Sequence, residues 1–455
     1  MDKDRVSKYV LRRFSAALML LIFSLCLSET VIAAFGSGNS SKMLLIGMKA
    51  GGAGKPAGDI ISRTDMESLK QALPDAAVSY MGSDTSAISA GGKKIPVDLQ
   101  LTGHMYIRFL DIKITRGSYF TYEASKHGRN VAVISENLAE RLFSTYDVIG
   151  RYVYLFENQK YKIAGLYKDV GFAASHLLSE GTERVYIPFE SREGIPGTQI
   201  DTVLIKDTSM DNDRFRVRRL ELLLKGMGID PGSYKISDFY DSDTIVSQMH
   251  YLFIFMAGIP VIWFILRFAA GRVRSSFGRL SEELDRMYFS ELLRNKKREF
   301  MSMLSIIIGA AILIAAVFFT IRFKPYLGSG MIPSVFRETP GYLPSQFEIR
   351  YMAYFIITFV LFFIMSSAFA ATFSYLRLGV LIGCNVRSGV RSCLISLAVS
   401  AALALIAAAA TGLNFIFPFK GLLIISGFIL SAYGSEYQKH DCSTGREGIS
   451  CVRIK

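Results

Sequence analysis

The chain has 455 residues, 51% of them hydrophobic, and a formal charge of +13, with mean hydropathy +0.31. That length leaves room for two or three units. Residues 36–248 hold 26 Lys/Arg against 26 Asp/Glu, leaving 26 basic and 13 acidic residues beside the apolar runs; this excludes the basic soluble face that nucleic-acid binding needs and matches the charge pattern of membrane insertion.

The first apolar run, Phe14–Phe35, is long enough to cross ~30 Å of hydrocarbon at ~1.5 Å per residue. Its one charge, Glu29, lies near the far end. A cleaved secretory signal is the alternative, with a basic leader and a small-residue site at VIAA (Val31–Ala34).

The polar segment follows. MLLIGM (Met43–Met48) suits a buried strand, and SRTDMESLKQAL (Ser62–Leu73) puts Met66, Leu69 and Leu73 on one helical face before Pro74 stops it. KIPVDLQLTG (Lys94–Gly103) alternates as a half-covered strand does. VAVI (Val131–Ile134) is a short β-branched strand, and Ser135 is placed to cap the helix ENLAERLF, whose inward stripe is Leu138, Leu142 and Phe143. RYVYLF (Arg151–Phe156) and YKIAGLY (Tyr161–Tyr167) read as a hairpin across ENQK. Interleaved strands and helices make this segment α+β, with residues enough for a core and room for two lobes.

Further candidate spans are Met249–Phe268, Met301–Ile321, Tyr351–Tyr375, Cys393–Leu413 and Phe415–Tyr433, the last interrupted by Pro418 and Lys420. Backbone in lipid must bond internally, so these read as helices. The N-terminal flank carries five Lys/Arg, Arg267–Phe300 nine, Leu376–Ser392 three without an acid, and Arg322–Arg350 four in a longer loop. The positive-inside rule then puts the N-terminus in the cytoplasm and the large domain outside the plasma membrane. The expected fold is an α-helical polytopic membrane protein of five or six transmembrane helices, with a large α+β extracytoplasmic domain inserted between the first and second helices. The expected division is 1–35, 36–248, a bundle over 249–434 with cytoplasmic loops 269–300 and 376–392, and a tail 435–455.

Chemistry-bearing motifs are sparse. GGAGKPAG (Gly51–Gly58) is not a phosphate-binding loop, because Pro56 follows Lys55 and the first glycine is misplaced. His104, His127, His176, His250 and His440 are scattered, and no nucleophile elbow appears. Cys26, Cys384, Cys393, Cys442 and Cys451 show no metal-ligand spacing, and the polar segment has none. No catalytic residue, metal site or cofactor is expected. Glu29 is either functional or a water-exposed span end, and Arg267 and Arg350 are expected to snorkel at span ends.

The order NVAVISENLAERLF (Asn130–Phe143), DVIGRYVYL, YKIAGLYKDV, with RGSYFTYEAS (Arg116–Ser125) before it and VYIPFE (Val185–Glu190) after it, resembles the extracytoplasmic core domain of MacB/FtsX-type ABC-transporter permeases. A span, this domain and a second span directly after it are also that family's layout. The resemblance covers Met66–Glu190 well. The family core has four spans, and this chain's five or six depart from it.

The resemblance implies a non-catalytic permease subunit, a separate ABC ATPase partner, a second permease copy and an extracytoplasmic ligand or cargo, all in a lipid membrane. It implies coupling of ATP hydrolysis to export or mechanotransmission. Two inner segments are candidates for meeting the ATPase. Phe277–Phe300 puts Leu280, Leu284, Tyr288 and Leu292 on one amphipathic face at the inner surface, or serves only as an anchor. LRLGVLIGCNVRSGVRS (Leu376–Ser392), with Arg377, Gly379, Gly383 and Arg387, resembles the family's coupling segment but has Leu378 where the family has Glu. Two other classes stay open: a membrane sensor or scaffold without an ATPase, and an integral membrane enzyme.

Overall fold

The computed structural model describes residues 3–36, 42–49, 61–156, 158–169, 183–192, 195, 198–207, 215–284, 297–320, 334–336, 339, 342, 344–382, 386–411, 413–422, 425–426 and 429. Gly51–Gly58, His176, Tyr288, Leu292, Gly383, Cys384, His440, Cys442 and Cys451 lie outside these residues.

Ten described strands form one sheet: β1 (Leu44–Met48), β2 (Ala77–Ala90), β3 (Lys93–Thr102), β4 (Ile112–Gly117), β5 (Val131–Ser135), β6 (Tyr152–Leu155), β7 (Gln159–Asp169), β8 (Glu183–Pro188), β9 (Thr202–Lys206) and β10 (Tyr234–Asp238). Their order is β10-β1-β9-β2-β3-β8-β5-β7-β4, with β6 pairing to β2 and β7. The pairs β3–β8 and β5–β7 are parallel; the others run antiparallel. A continuous sheet replaces the two lobes that the length allowed.

Sheet and helices grow from local signals. Helix α1 (Lys3–Gly36) carries the first apolar run. Helix α2 (Arg63–Ala72) starts at a capping box, in which Ser62 Oγ accepts from the Asp65 amide and the Asp65 carboxylate accepts from the Ser62 amide. Helix α3 (Tyr122–Lys126) is capped by Thr121. Helix α4 (Glu136–Phe143) is capped by Ser135, whose Oγ accepts from the Leu138 amide at 3.0 Å. Helix α5 (Arg216–Gly226) precedes β10. Gly117 has φ +70°, and a Cβ there would lie 2.2 Å from the Ala164 carbonyl oxygen, so only glycine fits the bulged β4–β7 edge.

Alternation along the strands gives the sheet two buried faces. Leu44, Ile46, Val78, Ile134, Val203 and Ile205 face one way, into a core closed by Met66 and Leu69 of α2, Leu138 and Leu142 of α4, and Leu220 and Leu224 of α5. Leu45, Met81, Val133, Tyr167, Tyr186 and Leu204 face the other way. That second core is completed by the ends of the apolar helices, through Val31, Phe239, Val246, Phe347, Tyr351, Tyr354 and Ala408. One face of the sheet therefore rests on the helix bundle.

The bundle comprises α1, α6 (Phe239–Leu284), α7 (Lys297–Thr320), α8 (Gln346–Ile382) and α9 (Val386–Thr411). Three of the described helices contain segments long and apolar enough to cross a membrane: Arg5–Ala34, Gln346–Gly379 and Ser388–Thr411. Phe300–Ala315 is a shorter apolar helix, and the expected second span, Met249–Phe268, lies inside α6. Leu18, Leu21 and Leu25 of α1 share a core with Ile254 of α6, Met365 and Ala368 of α8, and Ala404 of α9. Ser396 and Ser400 of α9 donate to the Ser15 and Met19 carbonyls of α1 at 3.3 and 2.9 Å, an interhelical bonding mode suited to lipid. Trp263, Ile312, Leu394 and Ile406 are all more than 60% exposed on the outside of the bundle, which suits hydrocarbon rather than water.

Where they are described, both candidate coupling segments are parts of longer helices. Phe277–Leu284 continues the 46-residue α6, and Arg267–Leu284 is built mainly of good helix formers. Leu376–Ile382 and Val386–Ser392 likewise extend α8 and α9, leaving only residues 383–385 between them.

Candidate coupling site between the sheet and the apolar helices

Three polar junctions tie the structure together, one between two apolar helices and two between the sheet and the helices. The first joins α1 to α6. Glu29 Oε1 lies 2.8 Å from His250 Nε2, and Ser28 Oγ lies 3.2 Å from His250 Nδ1. His250 is buried. Glu29 is therefore neither an isolated charge nor a bare span end: its partner stands on the next apolar helix. Sequence reasoning treated His250 as one of five scattered histidines, and a separation of more than 200 residues hid the pair.

The second junction fixes the step from β10 into α6. Asp238 ends the strand and caps the helix, its Oδ1 accepting from the Asp241 amide at 3.2 Å. Arg216, from α5, donates Nε to Asp238 Oδ2 at 2.7 Å and also pairs with Asp241 through Nη2. Its guanidinium sits 5.1 Å from the Tyr240 ring centre. Burial pushes the Asp238 carboxyl up to about 6, helped by the neighbouring Asp241 charge, and the Arg216 guanidinium opposes the rise. A planar two-pronged donor is what fixes two carboxylates around one turn.

The third junction docks α8 under the sheet. Ser345 and Glu348 form a reciprocal cap: the Ser345 amide donates to Glu348 Oε2 at 2.9 Å, and the Glu348 amide donates to Ser345 Oγ at 3.4 Å. The same carboxylate receives Ser237 Oγ of β10 at 2.6 Å and the Tyr342 hydroxyl. Lys235 Nζ of β10 stands 3.0 Å from Glu348 Oε1, with both side chains buried, and donates to the Val335 carbonyl at 3.2 Å. Two residues to either side of Glu348, Arg350 Nη1 donates to Asp111 Oδ2 at 2.6 Å and Gln346 Nε2 donates to the Tyr106 hydroxyl at 3.1 Å. Arg350 thus grips the sheet domain instead of snorkelling. Glu348 is fully buried, with donors surrounding it, which compensates the cost of taking it out of water.

Close packing seals this junction. A Cβ on Gly47 of β1 would lie 2.3 Å from the Tyr342 ring, so the strand admits the ring only because residue 47 has no side chain. The Lys235 ammonium sits 4.8 Å from the centre of the same ring.

The sequence-derived coupling candidates lie at the other ends of these helices. Arg377 and Gly379 occupy the last two turns of α8, where Arg377 is exposed, and Arg387 is in the first turn of α9. Leu284 is the last residue of α6. α8 has 37 residues and so runs ~55 Å at ~1.5 Å per residue. It therefore carries the Glu348 junction at one end and Arg377 at the other. No group of three or more His, Cys, Asp or Glu among the described residues is arranged to hold a metal.

Residues 14–220 match the family model described as the MacB-like periplasmic core domain, as the resemblance in the sequence leads one to expect. Three solved structures are similar. The periplasmic region of MacB from Actinobacillus actinomycetemcomitans is 18% identical, covering 47% of this chain and 95% of that one, with a TM-score of 0.38. The extracellular domain of the noncanonic ABC-type transporter YknZ from Gram-positive bacteria is 17% identical, covering 43% and 100%, with a TM-score of 0.34. A domain of a putative permease protein from Porphyromonas gingivalis is 13% identical, covering 41% and 82%, with a TM-score of 0.27. No curated protein matches the chain. The match covers a little under half of the chain, which also carries, among the described residues, three helices long and apolar enough to cross a membrane.

Proposed function

We propose that this chain is the transmembrane permease subunit of an ABC-type transporter, and that it converts the motion of a separate ATPase subunit into movement of its extracytoplasmic domain. The observation that carries this reading is α8, one helix whose outer end is locked to β10 by the buried Lys235–Glu348 pair and whose other end bears Arg377 and Gly379. The ATPase closes on ATP at the cytoplasmic face. It presses on the inner ends of α6, α8 and α9, through Leu284, Tyr288 and Leu292 or through Arg377, Gly379, Gly383 and Arg387. The helices tilt, and α1, α6 and α8 carry the sheet with them.

The proposed topology has a cytoplasmic N-terminus, a domain spanning residues 36–248 outside the plasma membrane, and five or six crossing helices. A second permease copy and a second ATPase complete the assembly, and the moving domain acts on an extracytoplasmic ligand or cargo for export or mechanotransmission. The chain itself performs no catalysis in this scheme. The competing reading, a membrane sensor or scaffold without transport, needs no ATPase.

Purification in mild detergent tests this reading. It should recover a nucleotide-binding subunit, and Gly379→Trp or Leu284→Asp should uncouple ATP hydrolysis from function in that complex. Repeated recovery of this chain alone would leave the sensor or scaffold reading in its place.

A further inference from the structure

Away from the three junctions, the sheet domain holds a cleft of about 500 Å³ between α2, the start of β2, α3 and the 3₁₀ turn His104–Phe109. Its apolar wall is formed by Met66, Leu73, Pro74, Val78 and Met105. Its polar end is built from rings and cations. The Lys70 ammonium sits 5.4 Å from the Tyr80 ring centre, and the Lys126 ammonium 5.7 Å from the Tyr122 ring centre. His104 meets the edge of the Tyr122 ring at a centroid distance of 5.0 Å.

The cleft's acids are already engaged. Glu190 accepts from the Tyr80 hydroxyl at 2.5 Å with one oxygen and from Ser125 Oγ at 2.8 Å with the other. Glu67 pairs with Arg63 along α2 at 3.7 Å. Lys70 and Lys126 make no ion pair within 4.0 Å among the described residues, and each ammonium rests on a tyrosine face. Burial lowers the Lys70 pKa, while the Glu190 and Glu67 charges act to raise it. Burial, with Lys70 nearby, also lowers the His104 pKa. Lys70 is half-buried and its neighbouring carboxylates are already hydrogen-bonded or paired elsewhere, so its ammonium gains from an anion that enters the same low-dielectric space.

We propose that this cleft binds a small amphiphilic anion, with a phosphate or carboxylate head held between Lys70 and Lys126 and an apolar body laid along Met66, Leu73, Val78 and Met105. This deepens the permease reading by giving the class of extracytoplasmic ligand, and rests on that reading only for the direction of signalling. The 3₁₀ turn supplies the connection. His104 and Met105 line the cleft, while Tyr106 in the same turn accepts from Gln346 of α8 and packs against Phe347 with ring centroids 6.2 Å apart. A guest that shifts the turn shifts the outer end of α8.

The full chain in lipid nanodiscs, without any ATPase, is titrated with octyl phosphate, octanoate, inorganic phosphate and octyl glucoside by calorimetry. Octyl phosphate or octanoate should bind, inorganic phosphate should bind at least tenfold more weakly, and octyl glucoside should give no saturable heat. Lys70→Gln and Lys126→Gln should each weaken octyl phosphate at least tenfold, with circular dichroism confirming that both variants remain folded. Equal affinity in both folded variants, or equal affinity for octyl glucoside, would overturn the proposal. Because the measurement needs no partner subunit, its failure leaves the permease reading standing, and loss of the ATPase partner leaves the binding result standing.

Discussion

Lys235 and Glu348 show how much one buried pair can hold. Each is more than nine-tenths buried, and they come from a strand and a helix 113 positions apart in the chain. Removing one partner strands the other charge, which costs about 3–5 kcal/mol. Lys235→Met and Glu348→Leu should each lower the thermal unfolding midpoint of the purified chain in detergent. The double variant should lose less than the sum of the two, by more than about 1 kcal/mol, because neither charge is then left alone. Additive losses would mean that the two residues act separately. None of this was legible in the sequence: Lys235 sits in YKISD and Glu348 in QFEIR, where a charge beside apolar residues looks like an ordinary surface position. Arg350 was misread for the same reason, since a basic residue before an apolar run has the same local pattern whether it meets headgroups or Asp111.

At the scale of elements, local signals found the pieces that carry their own punctuation. Ser62 and Ser135 mark helix starts, and period-two alternation marks β3 and the β6–β7 hairpin. β2 escaped notice although it is the longest described strand, at 14 residues. Its sequence, AVSYMGSDTSAISA, is rich in small and polar residues of weak strand preference, and it is held extended by β3 on one side and β9 on the other. Tertiary pairing, not propensity, makes it a strand. The segment before α8 is a comparable case, because it docks through shape: Tyr342 fits over Gly47 only in the absence of a side chain. Gly47→Leu should expel that ring, weaken the bonds around Glu348 and raise amide hydrogen exchange at the start of α8. Gly92→Leu is a control for general destabilisation of the sheet, since nothing lies within 4 Å of a Cβ at that turn, although its φ of +79° adds some strain. Equal exchange at α8 in the two variants would count against the docking account.

For the whole molecule, the presence of long apolar helices beside a polar α+β segment was legible from hydropathy and charge, because lipid imposes long uniform segments that a single sequence displays directly. That the sheet rests on the helix ends was not legible. The second core alternates with the first along the same strands, and no sequence window distinguishes a face covered by the sheet's own short helices from one covered by the long apolar ones. The proposed orientation is tested with a cysteine at the exposed Lys94 position. In intact cells it should react with an impermeant maleimide, and Cys442 should react only after lysis; the reverse pattern would invert the topology. The pairing of β1 with β10 also bears on how the protein is made. Leu44 meets Asp238, about 190 residues later, and β9, the other neighbour of β1, is also distant in the chain. Contacts this far apart form late and slowly. While the ribosome is still elongating, β1 waits with both edges open, exposed to mispairing with other nascent chains. The sheet can close only after β10 has been made, so biogenesis of this protein should lean on a chaperone or insertase that shields its first strand until the last is delivered.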